Sequence, residues 1–417
     1  MTSIDSLPHF RTETMDLRAA YQDPNAFPYD DVVAQYRTVG KHFVPESLLH
    51  ELHQLRMLLR AVRGPSTAEL RRFLDVVLDK WDSRYDYTTY LALPILPLPD
   101  PEAVDPSPGD LARVHAGQNR LLLLLLADLI AFELDAAAGR TMLLPGLRPP
   151  TALVAKRCRL ALRAALPALR RRGIIGDTHA VEPADLPRLT SLITDEADRR
   201  MLATTMLPVY TLHDEYLFIR VLQSYESAFA VIAAYLRAAI FATATNRLLD
   251  AATCVTMAGQ VLIDSRALFS LLGTMQPQAF LEFRKFTEGA SAIQSQNYKI
   301  VESLCRAPDP DRLRSTAYES VPEVKRLVHD GQLSLEQALR TAREQFSVAS
   351  GSEQELVDSM AALSRQVRSW RRTHHSLAVR MLGTKTGTGY TEGTPYLAHA
   401  QTIPLFKLAG DEHTQTN

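Results

Sequence analysis

Cysteine is scarce. Three residues, Cys158, Cys254 and Cys305, stand far apart in 417, with no CxxC pair. That excludes a disulfide scaffold and a cysteine zinc cluster, and it fits a reducing cytoplasm. An excess of one charge is also lacking: 46 lysines and arginines face 47 aspartates and glutamates, a formal net charge of -1. No whole-protein field favours nucleic acid or an anionic membrane, so neither is expected as a partner. Long apolar runs are missing too. The most apolar stretch, RLLLLLLADLIAFELDAAAG, is interrupted by Asp128, Glu133 and Asp135 before the roughly 20 residues of a bilayer span, and it reads as a buried helix. The opening MTSIDSLPHFRTETMD has no basic start followed by an apolar run, so no signal peptide is expected. Strand-like alternation is scarce, and no repeat of fixed period occurs.

What is present is helical periodicity. SLLHELHQLRMLLRAVRG and TAELRRFLDVVLDKW carry apolar residues at three- and four-residue spacing. Residues 110–139 and 151–172 read as helices, the second kinked or cut short at Pro167. A long helix is expected from Asp214 to Leu249, a helix–turn–helix around Gly289, and a final long helix from Glu353 to Leu382. The first 45 residues read as polar and irregular, and 172–189 as a loop. The fold class is all-α. The expected organisation is a helical N-terminal region over 1–205, a core over 206–405 and a disordered tail over 406–417.

Three segments stand out. HDEYLFIRVLQSYESAF, from His213, places Phe218, Leu222 and Tyr225 on one helical stripe, which by itself reads as core. FLEFRKFTEGASAIQSQNYKIVES, from Phe280, holds SAIQSQN, too polar for a core; Lys299 alone reads as a solvated lysine. WRRTHHSLAVRMLGTKTGTGYTEG, from Trp370, ends a helix in a loop rich in glycine and threonine. His374 and His375 point about 100° apart on a helix, so at most one can face a site squarely. A helical histidine flanked by Leu377, Ala378 and Met381 suits an axial ligand of a flat apolar cofactor, or a core histidine. The loop is no phosphate loop, because Lys385 precedes its glycines at a helix end.

Taken in order, the segments resemble the three signatures of the tryptophan 2,3-dioxygenase family: HDEHLF, SPASGFQSxQFRxLE and WRxxHxxxVxRMxGxKxGTGGSSGxxYL. The counterparts here are HDEYLF, EGASAIQSQNYKIVE and WRRTHHSLAVRMLGTKTGTGYTEGTPYL. The resemblance implies an all-α, cytoplasmic oxygenase containing haem b. It would activate O₂ on an aromatic amino acid or derivative, of indole or phenol type. It places the proximal haem ligand at His374, a distal-pocket phenylalanine at Phe218, and a contact to the amino-acid part of the substrate at Thr388. Gly387, Gly389 and Gly393 would belong to a lid loop. YTTYL resembles the family's YxxYL, adding Tyr87 and Tyr90 as pocket residues, which in the family reach into a neighbouring subunit. A homo-oligomer, dimer or tetramer, is therefore expected. Two departures sit at opposite ends of the substrate. The family's distal histidine falls on Leu222, and its carboxylate-binding arginine on Lys299, which keeps the charge without the two-pronged grip. These changes suit a specialised biosynthetic substrate. A tryptophan 2,3-dioxygenase yielding N-formylkynurenine and a non-catalytic haem-binding or interaction protein are the alternatives.

Overall fold

The computed structural model describes residues 20, 23–176, 180–346, 350–383 and 394–407. Helix follows helix; among these residues the one β feature is an isolated bridge between Gly146 and Leu212. A first layer contains α1 (Tyr29–Val39), α2 (Glu46–Leu58), α3 (Pro65–Val77) and the single turn α4 (Tyr87–Tyr90). Next come α5 (Pro108–Ala137), α6 (Thr151–Arg171), α7 (Asp185–Ser191) and α8 (Glu196–Thr204). The centre is α9 (His213–Ala244), followed by α10 (Leu248–Asp264), α11 (Arg266–Leu272), α12 (Pro277–Phe283) and α13 (Gln296–Cys305). Shorter pieces α14 (Pro310–Leu313), α15 (Thr316–Glu319), α16 (Pro322–His329) and α17 (Leu335–Gln345) lead to the long α18 (Ser350–Leu382) and to α19 (Thr394–Thr402), which packs back on it.

Helix α9 is the hub. Apolar and small residues fall on every side of it, so it is buried nearly all round, against α5, α10, α13 and α17. By length and composition 213–244 and 248–272 could each cross a membrane. In the first, 83% of the apolar window is buried inside the protein, so the core already takes up its apolar surface. Helices α5 and α6 share one continuous core with α9.

Four local expectations need correction. The segment before residue 45 contains α1, because Val32, Val33 and Tyr36 share a face that packs with Phe73 and Leu74. Helix α6 continues through Pro167 to Arg171. The ring removes one backbone bond near the helix end, and burial of Ala168 and Leu169 holds the last turn. Residues 185–189, read as loop, belong to α7, which packs over buried Leu186. Phe406, assigned to the tail, is fully buried in the main core; 408–417 lie outside the described residues.

Two devices set α9 in place. The first layer docks on the strand-like lead-in to α9, where Lys41 N–H donates to Pro208 O (2.7 Å) and Arg37 donates to Met206 O and Ala203 O. Gly40 permits this approach. Its φ is +86°, and a Cβ there would meet Val209 O at 2.7 Å. The second device is a buried guanidinium. Arg157 of α6 donates to Glu133 of α5 (3.0 Å), Asp214 of α9 (2.7 Å) and Thr274, while His213 Nε2 lies 3.1 Å from Glu133.

The α5–α9 contact also predicts a pH response. His115 Nδ1 lies 2.9 Å from the Tyr235 hydroxyl, and burial, with a smaller push from Arg171, lowers its pKa to about 4. The unfolded chain takes up this proton near pH 6.5, whereas the folded chain resists it. Stability is therefore complete above about pH 6.5 and falls as pH drops toward 4. Urea titrations at pH 7 and pH 4.5 are expected to differ by up to about 2–3 kcal/mol from this group, and His115→Gln is expected to remove that part of the difference. An identical pH dependence in the variant would contradict the assignment.

Candidate active site

Two adjoining cavities, of about 170 Å³ and 100 Å³, lie between α9, α18 and the 280–293 segment. They share the walls Tyr87, Leu222, Leu272, Ile293 and His374. Phe218 lines the larger one, its ring 5.4 Å from Phe283 and 6.4 Å from Tyr90. Residues named from four separate stretches of sequence thus meet at one place. Tyr87 and Tyr90 line the larger cavity of their own chain. Thr388, Gly387, Gly389 and Gly393 lie outside the described residues.

The tyrosines are fixed by polar contacts that begin at the turn before α4. Asp86 caps that turn through Thr89 N–H, and Asp79 accepts from both Thr89 Oγ1 (2.9 Å) and buried Lys41 (2.7 Å). Tyr87 N–H donates to Gln294 Oε1 (3.0 Å), tying α4 to the SAIQSQN segment. That contact explains the polarity of the segment: its amides and hydroxyls bond other elements. The Tyr90 hydroxyl donates to Glu215 (3.2 Å), which also accepts from Val209 N–H and Tyr210 N–H. Burial pushes the Glu215 carboxyl up to about 8 against these three donors.

His374 is the one histidine among the lining residues of either cavity. The four-residue spacing places it one turn beyond Trp370, with ring centroids 5.3 Å apart, and Phe269, itself in contact with Trp370, stacks on it at 6.2 Å. Its remaining exposure is toward the cavities. Burial, helped slightly by His375, lowers its pKa to about 4, so the imidazole is neutral at physiological pH. His375 faces away, into a groove with Arg372, Gln401 and Ile403. Trp370 is itself packed among Tyr225, Phe229, Phe269 and Tyr298. Trp370 Nε1 and Tyr225 Oη are buried near each other without reaching hydrogen-bond geometry.

Lys299 is not a solvated lysine. It is 3% exposed and lines the smaller cavity. Its ammonium lies 2.7 Å from Glu302, and that one carboxylate also takes Arg371 (2.6 Å) and Arg312 (3.1 Å). Burial alone would raise the Glu302 carboxyl; Lys299, Arg371 and Arg312 together hold it well below the usual carboxylate range. Three cations converge on this one carboxylate, with Glu226 the other acid in the lining of the smaller cavity. Arg371 also donates to the Tyr298 hydroxyl (2.8 Å) and to Ile403 O, so α19 and the segment after it are anchored here.

Arg371, Arg312 and Glu226 were missed from sequence. Glu226 carried a readable signal: it lies four residues after Leu222, an acid on an otherwise apolar helix face. Arg312 carried none.

Among the described residues no group of three or more His, Cys, Asp and Glu side chains could hold a bare metal ion. A lone imidazole between aromatic and aliphatic walls instead fits a flat apolar cofactor that needs one axial ligand. Haem b has that chemistry.

No family model matches the chain. Individual relatives do. A tryptophan 2,3-dioxygenase from Nocardioides sp. is 30% identical over 230 residues, covering 47% of this chain and 83% of the relative. Those from Xanthomonas campestris pv. campestris (25% over 235 residues, 48% and 79%) and Ruegeria sp. (26% over 229 residues, 46% and 81%) agree. About half of the chain is thus matched by most of each relative. The protein is all-α, an oxidoreductase by descent, and it belongs to the tryptophan 2,3-dioxygenase family of haem-dependent enzymes.

Proposed function

We propose that this protein binds haem b through His374 and oxygenates an aromatic amino acid or derivative of indole or phenol type, in a specialised biosynthetic pathway. The observation that carries the proposal is the convergence of Tyr87, Phe218, Leu222 and neutral His374 on one apolar cavity beside a cationic cluster. When bound, haem supplies the iron that activates O₂.

The protein's own residues have separable roles. His374 offers an uncharged nitrogen, and Trp370 and Phe269 brace its ring. Phe218, Leu222 and Phe283 keep water from the aromatic end of the substrate. Lys299, with Arg312 and Arg371 behind it, receives the carboxylate end, where positive charge offsets the cost of burying an anion. The family resemblance assigns Thr388 to the amino-acid part of the substrate and Gly387, Gly389 and Gly393 to a loop beside it; these residues lie outside the described ones. Leu222 supports the specialised-substrate reading, because an apolar wall stands where the family has an imidazole. Assembly into a homo-oligomer and residence in the cytoplasm accompany this reading.

The test is an absorption spectrum of the purified protein, ferric and then dithionite-reduced with and without CO, followed by product analysis with aromatic amino acids under O₂. A Soret band at near-stoichiometric haem and an oxygenated product are expected. N-formylkynurenine as the sole product would identify tryptophan cleavage instead of a specialised reaction. No haem after reconstitution would overturn the proposal. Within it, Lys299→Met is expected to raise KM for the amino acid about tenfold or more while haem content stays the same. An unchanged KM removes Lys299 from substrate binding.

A further inference from the structure

Over the whole chain the two signs of charge balance, but locally they do not. From Ser359 to Gly410 the sequence holds seven lysines and arginines and one acid, Glu392. Five basic side chains, Arg368, Arg371, Arg372, His375 and Lys407, line one groove of about 1140 Å³ between α18 and the run from Ala398 to Lys407. No aspartate or glutamate is among the described residues of its lining. Arg371 is engaged by Glu302 and Lys407 by Asp309, and Arg368 also has a partner of its own. Arg372 is exposed and in no ion pair among the described residues. The groove therefore presents positive charge that its own walls do not neutralise.

Its position gives that charge a use. His374 lines both cavities, and the next residue, His375, lines the groove. Arg371 lines the smaller cavity and the groove alike. One helix thus separates a basic surface from the imidazole assigned to the haem iron. Haem iron binds O₂ when ferrous, so each lapse to the ferric state has to be reversed by one electron. The patch is also compact. Acids return at its edge, where Asp309 and Glu336 both bond Lys407. That extent matches the acidic face of a small protein, whereas a nucleic acid would need a longer basic track.

We propose that this groove docks a small acidic protein that donates single electrons, and that α18 is the electron entry to the site. One electron leaves the donor's iron–sulfur cluster or flavin and reduces ferric haem iron to ferrous; no atom is transferred. Arg372 and Lys407 attract and orient the donor, and the peptide link between His375 and His374 is the shortest covalent path inward. The inference rests on the reading that His374 holds haem.

The experiment mixes the haem-loaded ferric protein, without oxygen and under CO, with a reduced plant-type [2Fe–2S] ferredoxin, an acidic one-electron carrier. The Soret band reports reduction. Reduced methyl viologen, a small cation that needs no docking, is the control donor. The ferredoxin rate is expected to fall about tenfold or more between about 20 mM and about 300 mM salt. At low salt Arg372→Glu is expected to slow it about fivefold, and Arg372→Glu with Lys407→Glu further, while Arg372→Lys retains it. Titration calorimetry of ferredoxin against the same proteins is expected to show binding weakened in that order. Thermal melts and viologen reduction are expected to match the parent. A ferredoxin rate indifferent to salt and to both charge reversals would overturn the proposal. Equal slowing with viologen would do so too, because the damage would then lie at the haem and not in docking. Tight binding of inorganic pyrophosphate, with ferredoxin reduction insensitive to the reversals, would mark a site for small anions and overturn the protein partner. Absence of the Soret band from the starting protein would instead overturn the haem reading, and this inference with it.

Discussion

Replacing His374 with alanine is expected to abolish the Soret band of the purified protein and its oxygenase activity, whereas His375→Ala leaves both close to the parent. The adjacent histidines make a controlled pair: same residue type, same helix, different faces. His374 lines both cavities and is held neutral by burial, while His375 lines a separate groove on the other side of α18. A haem site with a single protein ligand has no second side chain to retain the metal when that ligand is lost. The variant should fold, since the imidazole contributes two ring contacts at 5.3 and 6.2 Å and no hydrogen bond to the core. Added imidazole, diffusing into the space that the side chain vacates, is expected to restore part of the band. Full haem retention in His374→Ala, or equal loss in His375→Ala, would sink the ligand assignment.

Arg157→Met is expected to destabilise the protein by about 3–5 kcal/mol, against a total stability on the order of 5–15 kcal/mol. The reason is what remains. Glu133 and Asp214 are 1% and 0% exposed, and removing the guanidinium strands two buried carboxylates. The damage reaches the site. Asp214 also accepts from Gln276 N–H just before α12, so the start of α9, with Phe218 and Leu222 one to two turns further on, loses its anchor to α6 and α12. A triple variant, Arg157→Met with Glu133→Gln and Asp214→Asn, removes the stranded charges and is expected to recover more than half of the loss. Urea titrations on the three proteins decide the matter. A single variant as stable as the parent would mean that the cluster contributes nothing; a triple variant no better than the single would mean that geometry matters more than charge.

The all-α architecture was legible because helical spacing is a local signal. Trp370 and His374 could be placed on one face by counting, and the structure brings their rings into contact at 5.3 Å. Helix α1 was hidden because its apolar residues are diluted in a polar segment and acquire meaning only against Phe73 and Leu74. The burial of Lys299 was hidden for a different reason. One partner, Glu302, lies three residues on, but Arg312 and Arg371, which share that carboxylate, come from other elements. The buried network of Arg157, Glu133 and Asp214 joins residues 24 and 57 positions apart, which no window of helical periodicity can detect.

The cavity walls run from Tyr87 to Ala400, and this ordering has a consequence for biosynthesis. At synthesis rates of about 5–20 residues per second, roughly 15–60 s pass between translation of the first wall and the last. Through that interval α9 emerges with its apolar faces bare, because α13, α17 and α18 do not yet exist to cover them. Apolar surface exposed through this interval favours aggregation. If His374 holds haem as proposed, cofactor capture is a late event coupled to its arrival, and haem supply during expression is expected to govern how much of the chain escapes aggregation.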